Sequence, residues 1–147
     1  AQSERYRNAV EPVVVQPYMQ LNTNSSTATQ TLVCIERENV PRMLTKSAEE
    51  EIDKMVQLTW GDFKLKSDLN IDDEQAHKFD MIFYLRDESN DIVGFRSIIW
   101  DANVCAWIFE NGVVRDKGNG IGSLLMQMMV RYILGSPAIP HERRRVA

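Results

Sequence analysis

Apolar positions along the second half of the chain change period once, and the change divides it into strands and a helix. From Phe79 the apolar residues run continuously, MIFYL and then IVGFRSIIW, with the polar stretch DESND between them. Two such runs about a short polar tip predict a β-hairpin. VCAWIF, after Asp101 to Asn103, predicts a third strand, so the three form an antiparallel meander. Glycines then cluster at 112, 118, 120 and 122, and the period becomes helical: Ile121, Leu124, Leu125, Met128, Met129 and Tyr132 mark one face of a helix that should lie against a sheet. Gly135 reads as its C-cap, and Pro137 and Pro140 forbid its continuation.

The first half is less regular. Residues 1–12 are polar and read as frayed, Val13–Val15 as an edge strand or extended arm, and Leu21–Gln30 (LNTNSSTATQ) as a loop. TLVCIE predicts a short strand. Ser47, with Glu50 three residues on, has the form of a capping box, and Ile52, Met55, Val56, Thr59 and Trp60 continue as a helical stripe ending near Gly61. Asp62–Lys78 is charged, with scattered apolar residues, and reads as a second short helix or an ordered loop. The division predicted is a flexible arm and loop over 1–30, one domain over 31–135, and a tail over 136–147 whose end, HERRRVA, carries no fold signal.

Composition narrows the function. A chain of 147 residues holds one core, and 44% apolar with 26% charged residues describes a soluble domain. A net charge of −4 argues against nucleic-acid binding, which calls for a basic face. Cys34 and Cys105 sit in apolar runs and read as two buried thiols in a reducing compartment. With His77 and His141 far apart and no His/Cys cluster, neither a metal site nor a histidine-based triad is indicated. No apolar run reaches the length of a membrane span and no signal-peptide pattern opens the chain, so an intracellular protein is expected.

The chemistry concentrates in VVRDKGNGIGSLLMQMMVRYI, a strand, a glycine-rich turn and an amphipathic helix. Such a turn offers backbone N–H groups at the positive end of a helix dipole, and its natural ligand is a phosphate or pyrophosphate. A P-loop would need Lys-Ser or Lys-Thr after the glycines. A dinucleotide fingerprint would need the turn early in a βαβ unit, whereas this one follows a meander. The segment resembles the acetyl-coenzyme A motif of the GNAT acetyltransferase superfamily: Arg or Gln, two residues, Gly, one residue, Gly or Ala. Two registers fit, Arg115-x-x-Gly118-x-Gly120 and Lys117-x-x-Gly120-x-Gly122; the second keeps the usual spacing to Leu124-Leu125 and is preferred. The resemblance implies an α+β fold of α/β/α layers, with a mixed, mainly antiparallel sheet flanked by helices. It implies acetyl-CoA as co-substrate, held by Val113, Val114, Arg115, Lys117, Gly118, Asn119, Gly120, Ile121, Gly122 and Ser123. It also implies a bulge in the strand before the turn, from which a following strand splays away. Only about a dozen residues follow the helix, so that following strand is expected to be missing and the domain to be incomplete there, with an open cleft and an unprotected sheet edge.

A narrower resemblance, over Ser47 to Tyr132, is to the NatD-type histone N-terminal acetyltransferases. It rests on Trp60-Gly61 at a helix end followed by a charged stretch, on Trp100-Asp101, and on Phe109-Glu110 where the family has Tyr-Glu. It implies Glu110 as general base, acting through water, and Trp60, Asp101 and Phe109 as residues of the peptide site. It further implies a basic, histone-like N-terminal tail as partner, and a place in cytoplasm and nucleus. Each residue also has a plain structural reading: Glu110 as a solvated carboxylate, Asp101 as an Asx-turn, Trp60 and Trp100 as core or boundary aromatics, and Trp107 as core. Asp72-Asp73-Glu74 is either an attractor for a basic peptide or a solvated loop. Phe109 lacks the hydroxyl of the family's tyrosine. An acetyltransferase for a lysine or small amine, and a module that binds acyl-coenzyme A without turnover, therefore stand beside the first reading.

Overall fold

The β-branched and aromatic runs form five strands: β1 (Val14–Leu21), β2 (Thr27–Glu36), β3 (Met81–Arg86), β4 (Ile92–Asp101) and β5 (Ala106–Val114). They pair in chain order as one sheet, each antiparallel to its neighbour. Two long helices accompany them, α1 (Lys46–Trp60) and α2 (Ile121–Gly135). This computed structural model describes residues 14–21, 27–60 and 79–147, with side chains at 30–58, 79–110 and 112–147. Gly61, the stretch 62–78 with its acidic run, and His77 lie outside the described residues.

Alternation along the strands sends side chains to two cores. On one face Val33, Ile35, Ile82, Tyr84 and Phe95 pack beneath Ile52, Met55 and Val56 of α1. On the other, Leu32, Phe83, Leu85 and Ile98 pack beneath Leu124, Met128, Met129 and Ile133 of α2. The result is three layers, helix on sheet on helix, as the family resemblance implied. α2 approaches closely at Gly94, where an added Cβ would lie 3.3 Å from Leu125 Cδ2.

Four sequence expectations need correction. The stretch 21–30 was expected to be a loop, but it supplies the end of β1 and the start of β2, with Leu21 paired to Thr27; β-branched threonines can enter an antiparallel ladder as readily as a loop. The cap of α1 is Thr45 rather than Ser47: Thr45 Oγ1 accepts from the Ala48 N–H at 3.1 Å, and the Thr45 carbonyl accepts from the Glu49 N–H at 3.0 Å. Leu44, fully buried just before it, fixes where the chain leaves the core, and the helix starts at once. Cys105 is exposed, not buried: it stands in the β4–β5 turn at φ 52, and β5 begins one residue later. Gly135 is the last residue of α2, and Ser136, in extended conformation ahead of Pro137, is the C-cap.

The Thr45 cap gives a direct stability test. Thr45→Ala is expected to cost about 1 kcal/mol, a fall of about 3–5 °C in thermal melting, whereas Ser47→Ala should leave the melting temperature unchanged.

HERRRVA, without a signal in the sequence, has a definite place. A 3-10 turn at His141–Arg143 follows Ile139, which is buried in the α2-side core. Arg144 donates to the carbonyls of Ile139 (3.2 Å) and Ser136 (3.1 Å), closing the loop on itself. Val146 then bridges Trp107 in the parallel sense, with Trp107 N–H to Arg145 O at 2.9 Å and Ala147 N–H to Trp107 O at 3.0 Å. After α2 the described residues thus add one isolated parallel bridge at the start of β5 and no further strand. It leaves the rest of that edge, from Phe109 to Val114, without a strand partner among the described residues.

Candidate functional site

The glycine turn is built by three backbone choices. Arg115 N–H donates to Val93 O at 2.9 Å, carrying the β4–β5 ladder one residue past the strand. Gly118 (φ 85) and Gly120 (φ 75) then adopt left-handed conformations, which glycine enters without the penalty of a Cβ. Gly120 is the N-cap of α2, and the first helical hydrogen bond runs from Leu124 N–H to its carbonyl at 3.0 Å. The N–H groups of Ile121, Gly122 and Ser123 therefore precede the i→i−4 ladder, no side chain caps them, and no acidic residue occupies the first turn. An added Cβ at Gly118 or Gly120 would meet nothing within 4 Å, so these glycines face open space. The whole arrangement suits an anion.

The two basic residues beside the turn differ in their surroundings. Arg115 is clasped by carboxylates: Nε lies 3.0 Å from Asp116, and the terminal nitrogens lie 3.8 Å from Asp87 and 3.7 Å from Asp91 at the β3–β4 tip. Its hydrogen bond to Asp116 raises its pKa above the ordinary arginine value. Lys117 is exposed and makes no ion pair among the described residues. The turn's uncommitted cation is Lys117, in the register that puts Gly120 at the cap and Gly122 inside the helix.

Below the turn, β5 carries a bulge. Arg96 pairs with Gly112 and Ile98 with Phe109, so two residues of β5, Glu110 and Asn111, stand opposite Ser97 alone. This is the irregularity the family resemblance implied for the strand before the turn. Gly112 permits a close crossing: an added Cβ there would lie 2.9–3.1 Å from the Arg96 guanidinium, which rests 5.3 Å over the Phe109 ring. Partial burial lowers the Arg96 pKa, and its Nε has no hydrogen-bond partner. Glu110 is exposed at the bulge.

The site residues expected from sequence are thus only partly brought together. Lys117 to Ser123 form one surface at the head of α2. Phe109 and Glu110 sit at the bulge, about 13 Å down β5 from Val114 at ~3.3 Å per residue. Val113 is buried on the α1 side and Val114 is half-buried. Asp101 lies at the far end of β4, four residues beyond Ser97, where its Oδ1 accepts from the Asn103 N–H at 2.8 Å in an Asx-turn. Trp60 is the last residue of α1, and its side chain lies outside the described residues. Trp107 is core: it is 4% exposed, stacks edge-on to Trp100 at 5.3 Å, and donates its indole N–H to Arg143 O at 2.8 Å.

Arg96 and Ser97 are additional polar residues at the site. Their signal in the sequence is a polar pair, RS, in the middle of an otherwise apolar strand. Away from the site, Cys34 lies under α2 near Tyr132, with its sulfur 3.6 Å from that of Met81. Burial pushes the Cys34 thiol up to about 12 and the Tyr132 hydroxyl to about 12, so both are neutral at physiological pH and neither is a ready nucleophile.

No protein-family model matches the sequence, and no curated protein matches it. Among solved structures, the chain is similar to the aminoglycoside 6'-N-acetyltransferase from Enterococcus faecium, with 18% identity and a TM-score of 0.47 over 60% of this chain and 48% of that one. It is also similar to an aminoglycoside 6'-N-acetyltransferase complexed with coenzyme A, with 17% identity and a TM-score of 0.48 over 67% of this chain and 53% of that one. The chain spans about half the length of these solved structures.

Proposed function

We propose that this chain binds acetyl-coenzyme A and transfers its acetyl group to an amine. The observation that supports this best is the alignment of three features along β5: the uncapped amides of α2 at its upper end, a strand edge from Phe109 to Val114 without a strand partner among the described residues, and a bulge with an exposed carboxylate. An extended thioester with phosphates at one end suits such a track. The phosphates meet the helix terminus and Lys117, the amide-bearing arm pairs with the free edge, and the acyl carbon arrives at the bulge.

The residues then divide the chemistry. An amine is nucleophilic only when neutral, so Glu110 accepts its proton, through water. Backbone N–H groups of the bulged strand stabilise the oxygen that becomes negative as nitrogen attacks the thioester carbon. The carbon–sulfur bond breaks as the carbon–nitrogen bond is completed, and the departing thiolate takes up the second proton, which the nitrogen sheds as it becomes an amide. No covalent bond to the protein is needed.

For the acceptor, the finer reading is the N-terminal amine of a basic, histone-like tail. It rests on the placement of Trp60, Asp101 and the Phe109-Glu110 pair in sequence order. Phe109, with no hydroxyl and its ring occupied by Arg96, supports a second reading, an acyl-coenzyme A-binding module with little turnover. Calorimetric titration with acetyl-CoA, followed by assays on a basic peptide with a free N-terminus, the same peptide blocked, and a small polyamine, separates these readings. Binding in the micromolar range with acetylation of the free peptide alone is the expected result. No binding by the folded chain would overturn the proposal.

A further inference from the structure

Ser97 is 1% exposed, and its hydroxyl has no hydrogen-bond partner. A buried hydroxyl left unpaired is unfavourable, and in a strand interior beside Phe95 and Ile98 an apolar residue would pack at no such penalty. Its position accounts for it. Ser97 pairs with Ile82 on one side and on the other stands opposite the bulge residues Glu110 and Asn111 of β5. Ile82 belongs to the α1-side core, and so Ser97 points to that face. Phe109 packs in the α2-side core, and alternation from it turns Glu110 to the α1 side, the face of Ser97. Cross-strand neighbours on one face have Cβ atoms about 5 Å apart. A bulge also leaves a backbone polar group of its own strand outside the ladder.

Two polar side chains therefore share one face beside the bulge, the unpaired Ser97 hydroxyl and the Glu110 carboxylate, and the bulge backbone runs between them. We infer that Ser97 is a positioning residue for Glu110. Its hydroxyl, together with the bulge backbone, holds the water through which Glu110 receives the proton of the acceptor amine. A hydroxyl suits this place because it both donates and accepts, and a water needs two to four polar partners to be held. The proton passes from the amine nitrogen to this water as another proton passes from the water to the carboxylate. The nitrogen lone pair so freed forms the bond to the acyl carbon, and Ser97 is unchanged at the end. The inference rests on the acetyltransferase reading of the same site.

The test uses the full chain with Ser97→Ala and Ser97→Thr, acetyl-CoA and a basic peptide with a free N-terminus. Ser97→Ala should lower kcat at least about tenfold, with the KM for acetyl-CoA within twofold of wild type and no loss of melting temperature. Ser97→Thr, which restores the hydroxyl, should recover most of the rate. If an active wild type and Ser97→Ala turn over equally, the inference is overturned while the acetyltransferase reading stands. It is also overturned if the loss in Ser97→Ala appears as a raised KM that Ser97→Thr does not repair, which would indicate packing alone. A wild-type chain that binds acetyl-CoA but acetylates nothing removes the transfer step and this role with it. A chain that does not bind removes the parent reading as well, and calorimetry tells those two cases apart.

Discussion

Gly120→Phe is expected to weaken acetyl-CoA binding at least 100-fold while leaving the protein folded. The two effects separate because of where the residue stands. Its φ of 75 lies in the left-handed region, so any side chain there costs about 1–2 kcal/mol. Around its Cβ there is nothing within 4 Å, so the ring displaces no protein atom and breaks no core contact. That open space is where an anion would have to lie to reach the N–H groups of Ile121, Gly122 and Ser123, and the ring would fill it. Melting should fall by only a few degrees, and calorimetry should register no saturable heat. Gly122→Ala is the matched control. An added Cβ there comes no closer than 3.7 Å to Val114, in a helical position that favours alanine, so binding and stability should both persist. Undiminished binding by the Gly120→Phe protein would move the cofactor site away from the turn.

Glu110→Gln should lower kcat by ~10²–10⁴-fold, the range for loss of a positioned base, with acetyl-CoA affinity unchanged. The amide keeps the shape and polarity of the carboxylate but accepts no proton at neutral pH. Glu110 is exposed and outside both cores, so its replacement should leave the melting curve where it was. Single-turnover acetylation of the basic peptide is the measurement to make, since it reports the chemical step apart from product release. Equal rates for Glu110→Gln and wild type would return Glu110 to the role of a solvated strand carboxylate.

What could be read in the sequence follows from how local each signal is. MIFYL, IVGFRSIIW and the heptad-like spacing of Leu124, Leu125, Met128 and Met129 are set by burial against one sheet, so their periods name their elements directly. The glycines at 118 and 120 announce the turn because no other residue enters that conformation so easily. Ser47 misled because Ser-x-x-Glu is a local pattern, whereas the start of α1 was fixed by Leu44 entering the core, a contact with residues far along the chain. The strand character of 27–30 is likewise a property of its pairing with β1. The bulge at Glu110 and Asn111 shows only once Arg96 is matched with Gly112 and Ile98 with Phe109, and without the bulge Ser97 has no evident task. The fold at HERRRVA depends on hydrogen bonds from Arg144 to carbonyls and from Trp107 to Arg143 O, which leave no trace in hydropathy.

The order of the strands bears on how quickly the chain finds its structure. β1–β2, β3–β4 and β4–β5 join neighbours through connections of a few residues, so three of the four ladders can close with little loss of chain entropy. The β2–β3 ladder alone must close across a long connection, residues 37–80, which includes α1. The slow event in folding is therefore expected at a single joint inside the sheet, Thr31–Glu36 against Met81–Arg86. Substitutions in that joint should slow folding. Those at the bulge and the glycine turn, at the far edge, should leave the folding rate almost untouched, so the edge is free to vary in chemistry without risk to the speed at which the sheet assembles.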